Sequence, residues 1–200
     1  MMPGRCIIAL SLMALVALPA LAEDLAAPDS FAGIADEGDR SAAIFEEMGK
    51  VLQHPRCLNC HPVDGTPRQG DDLALHQPPV VRGAGGFGAS GMRCTTCHGG
   101  ENVTYTGAEG SMPGNAPWHL APLSMGWIGL TLPEICAQIK DPARNGGLTL
   151  AELQEHNAED GLVGWGWEPG EGRTPAPGSQ ERFGELTQAW IDAGAGCPAG

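Results

Sequence analysis

The chain has few basic residues. It carries 11 Lys and Arg against 24 Asp and Glu over 200 residues, which gives a formal net charge of −13 at pH 7. Nucleic acids and anionic membrane surfaces attract positively charged proteins. The charge balance therefore argues against both as partners, and it favours a partner protein with a basic or neutral docking face.

Long apolar stretches are missing after the first 22 residues. No later segment stays apolar for the ~20 residues that a transmembrane helix needs, so we expect no membrane insertion. Residues 1–22 do contain an apolar run, but it is short, it follows Arg5, and it ends in the small-x-small pattern Ala20-Leu21-Ala22. We expect a signal peptide over residues 1–22, cleaved near Ala22, and a protein exported to the periplasm or a similar compartment.

Few segments of the chain show the hydrophobic pattern of a helix or strand without a break. The chain has 30 Gly and 17 Pro, and both residue types break helices and strands. Five Trp and several apolar stripes nevertheless argue against a disordered chain. A chain with so many loops needs something besides its own side chains to fill its core, and a large apolar cofactor would serve.

One short motif occurs twice, as RCLNCH at 56–61 and as RCTTCH at 93–98. Cys-x-x-Cys-His is the attachment sequence for c-type haem. The spacing places two thiols on one helical turn, within reach of the two vinyl groups of one porphyrin, and carries the histidine under the iron. We predict two covalent haem c groups, attached through Cys57, Cys60, Cys94 and Cys97, with proximal iron ligation by His61 and His98.

Two other chemistries use paired cysteines. The four motif cysteines could form one zinc site with ribbon-like spacing, or each pair could be a redox-active dithiol. A zinc ribbon gives no reason for a histidine after both second cysteines, and a thioredoxin-like dithiol needs a strand–helix alternation that surrounds neither motif. Haem attachment is the favoured interpretation.

Three cysteines lie outside the motifs. Cys6 belongs to the expected signal peptide, which leaves Cys136 and Cys197. In an oxidising compartment the simplest interpretation of this pair is a disulfide bond. The alternative is that one of the two is a thiolate ligand to iron.

With its two motifs and its presequence, the chain resembles the exported dihaem c-type cytochromes. A looser similarity to cytochromes c in general extends over FGELTQAWIDAGAGCP at 183–198. The stretches WHLAPLSMGW and IKDPARNGG are similar to small dihaem proteins that accompany isoquinoline-1-oxidoreductase-type molybdenum hydroxylases. That similarity implies a role as electron acceptor for a dehydrogenase.

The fold class that we predict is a mostly α, loop-rich, cytochrome c-like domain with two covalent haems. Residues 23–40 are expected to be a flexible lead-in, and 41–200 a single fused domain, because the short segment 62–93 leaves no room for a complete cytochrome before the second motif. Ser41, Thr131 and Thr149 are predicted to cap helices, and an apolar face around Trp190 predicts a C-terminal helix.

The residue on the other side of each iron decides its redox potential and its reactivity. His76 is a candidate because it is the only His or Met between 62 and 91, in a loop expected to cover haem. His119 and Met125 lie in a stretch stiffened by proline and covered by tryptophan. The weaker candidates are Met112, in a Met-Pro loop, and His156, on a predicted helix.

Two functions compete. In the first, two six-coordinate haems carry electrons between an exported dehydrogenase and a downstream acceptor, with a redox protein as partner and no catalytic residue. In the second, the chain is a dihaem redox enzyme, a peroxidase or a sulfur-compound oxidoreductase, in which one haem is open or cysteine-ligated. The carrier is the favoured interpretation, and an unpaired Cys136 or Cys197 would favour the enzyme.

Overall fold

Six α-helices and three two-stranded ladders form the regular structure of residues 24–200, the part of the chain that a computed structural model describes. The helices are α1 (Glu37–Leu52), α2 (Pro55–Leu58), α3 (Leu132–Lys140), α4 (Leu150–Glu159), α5 (Gly161–Gly164) and α6 (Gln180–Asp192). The antiparallel ladders pair β1 (Arg68–Gln69) with β2 (Ala74–Leu75), β3 (Gly88–Ala89) with β4 (Met92–Arg93), and β5 (Val103–Thr104) with β6 (Ser111–Met112). The predicted mostly helical class is confirmed, and the signal peptide predicted over 1–22 lies outside the described residues.

Helix α1 begins earlier than the sequence pattern predicts. Its cap is Asp36, whose side chain accepts a hydrogen bond from the backbone N–H three residues later, so the predicted cap at Ser41 is wrong. Ser41 is buried inside the helix instead. Its hydroxyl donates to the carbonyl of Trp190 at 3.1 Å and accepts from the N–H of Gly196 at 2.7 Å. The side chain thus joins α1 to the C-terminal segment.

The segment before α1 packs on the helices, although the sequence predicted a flexible lead-in there. Leu25 is 4% exposed and belongs to the hydrophobic core. The N–H of Ala26 donates to Glu47 in α1 at 2.8 Å, and a short 3-10 helix follows at Pro28–Phe31. Leu25 anchors the segment by the same apolar burial that holds the helices together.

Helices α1, α3 and α6 enclose the main core. Phe45 of α1 and Trp190 of α6 meet at a ring separation of 5.2 Å. Helices α4 and α6 cross closely at Gly184, where a Cβ atom would lie 2.5 Å from the Cβ of Ala158, so only glycine fits. The largest fully buried side chains are Trp190, Phe45, Phe183, Ile44, Met48, Ile135, Leu186 and Val51.

Three helix ends follow local signals that the sequence shows directly. The N–H of Thr131 donates to Glu134 at 2.7 Å, and the N–H of Thr149 donates to Glu152 at 2.8 Å. Both are reciprocal capping boxes, and both predictions are confirmed. After α6 the chain turns at Gly194 with φ 93°, a left-handed conformation that glycine adopts without strain.

Cys136 and Cys197 form a disulfide bond, as predicted. The bond ties α3 to the C-terminal segment across a sequence separation of 61 residues. Because both sulfurs are used in this bond, neither is the thiolate iron ligand that the competing interpretation required.

The rest of the described chain consists mainly of loops, and these hold both motifs. The Gly- and Pro-rich segment 165–179 packs back on the loop after the second motif: Trp165 donates to Asn102 at 2.9 Å, and Arg173 donates to Ser111 at 2.8 Å. Within residues 24–200, no helix is long and apolar enough to cross a membrane.

We predict that Cys136→Ala lowers the free energy of unfolding by about 4 kcal/mol, because the disulfide no longer restricts the unfolded chain. Urea denaturation measures the loss. Cys197→Ala and the double variant should lose the same amount, since each lacks the same bond. A double variant that is much less stable than either single variant would contradict this account.

Candidate functional site

The first motif lies at the end of the short helix α2. Pro55 opens the helix, and the imidazole of His54 accepts a hydrogen bond from the N–H of Arg56 at its start. The N–H groups of Cys60 and His61 then donate to the carbonyl of Cys57 at 3.1 and 3.2 Å. The two thiols and the histidine are therefore held on one tight turn, as the motif requires.

His61 is held on two sides. Its Nδ1 lies 2.6 Å from the carbonyl oxygen of Met125, and its ring stacks on Trp127 with ring centres 3.5 Å apart and an interplanar angle of 11°. The N–H of Trp127 also donates to the carbonyl of His61 at 2.8 Å. Met125 and Trp127 belong to the main core, so the helical core fixes the position of this imidazole.

The second motif repeats this arrangement with different residues. A 3-10 helix covers Cys94–Thr96, and the N–H of His98 donates to the carbonyl of Cys94 at 2.9 Å. Nδ1 of His98 lies 2.8 Å from the carbonyl oxygen of Pro113. The imidazole stacks on Trp118 with ring centres 4.7 Å apart and an interplanar angle of 10°.

Both contacts identify the same tautomer. A carbonyl oxygen only accepts, so Nδ1 of His61 and Nδ1 of His98 carry the hydrogen. In each ring Nε2 then has a free lone pair. Histidines that bind metals usually donate their other ring N–H to a carbonyl or carboxylate in this way, which fixes the ring orientation.

Both imidazoles are neutral. Burial lowers the pKa of His61 to about 3, and burial is also the main cause that lowers the pKa of His98. A neutral imidazole is the form that binds a metal ion. Each motif thus presents a fixed, unprotonated nitrogen.

The motif cysteines differ from a catalytic dithiol in their pKa values and from a zinc site in their arrangement. Burial raises the pKa of Cys57 to about 12 and that of Cys60 to about 11, whereas catalytic thiols have lowered pKa values. All four motif cysteines are free thiols. Over residues 24–200, no three His, Cys, Asp or Glu side chains are arranged to hold a metal ion together.

One short segment connects the two motifs. The N–H of Ala121 donates to the carbonyl of Cys60 at 3.1 Å, and the N–H of Leu120 donates to the carbonyl of Gly86 at 3.0 Å. The thiol of Cys94 lies 3.8 Å from that same carbonyl of Gly86. Consecutive residues therefore link the first motif to the second, and the two sites are neighbours.

His76 lies beside the second motif. Its ring centre is 5.9 Å from that of His98, with an interplanar angle of 70°. Nδ1 of His76 lies 2.9 Å from the carbonyl oxygen of Pro78, so its Nε2 also has a free lone pair. The structure thus brings together two of the histidines that the sequence singled out.

The other four candidates have different contacts. His119 packs against Phe87 with ring centres 4.8 Å apart. Met125 is 5% exposed and in the core, with its carbonyl on the Nδ1 side of His61, away from the nitrogen that would bind iron. Met112 is half-buried in β6 and precedes Pro113. His156 lies on α4, 3.3 Å from Asp160.

The surroundings of the motifs fit a haem group. Haem has a large apolar ring and two anionic propionates, so it needs apolar walls and hydrogen-bond donors. Of the eight large hydrophobic residues that are exposed in the described chain, five lie in the segment that joins the motifs: Val63, Leu75, Val81, Phe87 and Met92. Buried donors without a partner also lie in or beside this region: Nε and Nη1 of Arg56, Nε of Arg68, Nη1 of Arg82 and Nε1 of Trp127.

Sequence reasoning missed several residues that hold the sites. The sequence positions of Trp118 and Trp127 indicate apolar cover, and no pattern in the sequence shows that these residues stack on the two imidazoles. The sequence also does not show the ion pair between buried Arg56 and exposed Asp71, whose carboxylate accepts a hydrogen bond from the hydroxyl of Thr174 at 2.6 Å. The repeated Arg before each motif was the only available signal, and it does not identify a partner.

Comparisons of the chain with protein-family models, with curated proteins and with solved structures find no match. The assignment of the site therefore rests on the residues and their geometry.

Asp160 caps α5 and pairs with one candidate histidine. Its carboxylate accepts from the N–H of Leu162 at 2.7 Å, and the hydrogen bond with His156 is the main cause that lowers the pKa of Asp160 to about 2. The ionised carboxylate therefore stabilises the fold at pH values above its ordinary pKa of 3.8. That contribution is lost as the pH falls through about 2.

We predict that Asp160→Asn lowers the free energy of unfolding at pH 7 by up to about 1 kcal/mol, a small value because the pair is partly exposed. Asparagine still caps the helix, so only the charge is tested. The difference from wild type should disappear as the pH falls from 3.8 toward about 2. Urea titrations over this range measure it, with Asp29→Asn at an exposed site as the control. A difference that persists unchanged at low pH would contradict the prediction.

Proposed function

We propose that this chain is an electron carrier with two covalently attached c-type haems. The observation that carries the proposal is the duplicated geometry of the two motifs. In both, the histidine directs Nδ1 to a backbone carbonyl, stacks on a tryptophan and leaves Nε2 free. A motif that occurred by chance would give no reason for the same two contacts at both places.

The residues of each site have separate roles. Cys57 and Cys60 would hold one porphyrin, and Cys94 and Cys97 the other, through thioether bonds. Bound haem supplies an iron that gains or loses one electron. The carbonyls of Met125 and Pro113 keep the Nδ1 hydrogens of His61 and His98 in place, and this contact raises the basicity of the ligating nitrogen.

His76 is a second histidine that would hold the haem of the second motif together with His98. A metal–imidazole bond is about 2 Å long, and a ring centre lies roughly 1 Å behind its nitrogen, so two rings across one metal stand about 6 Å apart. The observed separation of His76 and His98 is 5.9 Å. An iron held by two imidazoles has no open position, as a carrier requires.

The disulfide bears on the competing function and on the compartment. It uses Cys136 and Cys197, so neither sulfur is available to ligate iron, which argues against a dihaem enzyme with an iron ligated by either of them. A disulfide is also typical of oxidising compartments, which supports export to the periplasm. There the carrier would link an exported dehydrogenase to a downstream acceptor, through a redox partner with a basic or neutral docking face.

Haem attachment is tested first. The protein is produced with its presequence in a bacterial host that matures c-type cytochromes, and haem is counted by the pyridine haemochrome spectrum and by intact mass. We expect two haems per chain. Replacing both cysteines of one motif, as in Cys57→Ala/Cys60→Ala or Cys94→Ala/Cys97→Ala, should leave one. A wild-type protein without covalent haem would overturn the proposal.

The distal ligand is tested by His76→Ala. We expect two low-spin signals in the electron paramagnetic resonance spectrum of the oxidised wild-type protein, and no carbon monoxide adduct after reduction. His76→Ala should convert one haem to a high-spin form that binds carbon monoxide, because its sixth position is then open. His119→Ala is the matched comparison and should leave the low-spin signal of the second haem unchanged. If His119→Ala opens the site and His76→Ala does not, the assignment of His76 is wrong.

A further inference from the structure

Arg82 is a partly buried cation in the segment between the two motifs. Its Nη2 donates to the carbonyl of Ala121 at 2.5 Å, and its Nη1 is buried without any hydrogen-bond partner. No Asp or Glu among residues 24–200 forms an ion pair with it. By contrast, Arg68 in the same loop pairs with Asp64 at 2.7 Å, and Arg56 pairs with Asp71.

Arg82 lies between the two motifs. Ala121, whose carbonyl it contacts, also donates to the carbonyl of Cys60. On the other side, a Cβ atom at Gly86 would lie 3.3 Å from Nη2 of Arg82, and the Gly86 carbonyl contacts the thiol of Cys94. Arg82 thus lies beside residues that contact both motifs.

An arrangement of this kind calls for an anion. Burying an unpaired charge and an unpaired donor is costly, and burial lowers the pKa of Arg82 with no acidic neighbour to oppose the effect. A guanidinium offers two parallel N–H donors that match the two oxygens of a carboxylate or phosphate. Nη1 is the donor that such an anion would use.

We propose that Arg82 binds a carboxylate or small oxyanion between the two motifs. Two sources share this chemistry: a propionate of a bound haem, or an oxyanion from solution. The inference rests on the proposed function, because the bound group is placed beside an iron. A positive charge held there favours the reduced iron, which carries one positive charge fewer, so Arg82 raises the redox potential of the neighbouring haem.

The test is spectroelectrochemistry of the haem-loaded protein as wild type, Arg82→Gln and Arg40→Gln. At a fixed applied potential, Arg82→Gln should raise the ratio of oxidised to reduced haem about tenfold at one haem, a fall of about 59 mV for one electron. Arg40→Gln removes an equal charge near the N-terminal end of α1, the end far from the first motif. Solvent screening should therefore leave the potential unchanged in this control.

Two further measurements distinguish the sources. If the anion is a haem propionate, the potential of Arg82→Gln varies with pH as that carboxyl titrates, and added sodium phosphate has no effect on wild type. If the anion comes from solution, sodium phosphate at constant ionic strength shifts the potential of wild type but not of Arg82→Gln. Either result supports the inference.

The inference is overturned if Arg82→Gln matches wild type in potential, in pH dependence and in its response to phosphate. If Arg82→Gln does not bind haem, Arg82→Lys replaces it as the test variant. Lysine keeps the positive charge but lacks the planar guanidinium group with its two parallel donors. A potential below that of wild type in Arg82→Lys supports the inference, and an unchanged potential with an unchanged phosphate response overturns it. Wild type without covalent haem is a separate outcome, which overturns the proposed function itself.

Discussion

The hydrogen bond between Nδ1 of His61 and the carbonyl of Met125 joins the first motif to the helical core. Trp127 stacks on the same ring and belongs to the same core cluster. Because Ala121 also donates to Cys60, one segment fixes both the motif turn and the imidazole. The loops of this protein are therefore positioned by a few directed contacts, and the helices supply the rigid support behind them.

The two sites share their contacts but not their surroundings. His61 is held by Met125 and Trp127, which are core residues. His98 is held by Pro113 and Trp118, which belong to loops and lie outside that cluster. The second site also has the imidazole of His76, whose ring centre lies 5.9 Å from that of His98. Two haems in such different settings would have different potentials, since ligand type and solvent exposure both set the potential, and a difference in potential gives electron transfer a direction.

Local signals in the sequence predicted local structure well. The capping boxes at Thr131 and Thr149 fix helix starts through side chains three residues apart, and the two leftover cysteines gave the disulfide. Contacts between distant segments were missed. Ser41 resembles a cap, but its hydroxyl bonds to residues near the C-terminus, and Asp36 caps α1 instead. The tryptophans that stack on the imidazoles follow the motifs by tens of residues, and no local pattern reports which ring they cover.

The loop-rich half is the part of the fold that most needs a bound group. Its segment between the motifs exposes five large apolar side chains, and the arginines in or beside it bury donors without acceptors. No single type of side chain in this space could satisfy both features. An apolar residue accepts no hydrogen bond from the buried donors, and an acidic residue does not cover the apolar side chains. A porphyrin with two propionates meets both demands with one group. On this account, the proposed haem groups would complete the structure around 62–93 as well as supply the redox centre, and the many glycines and prolines there would be compatible with a stable fold.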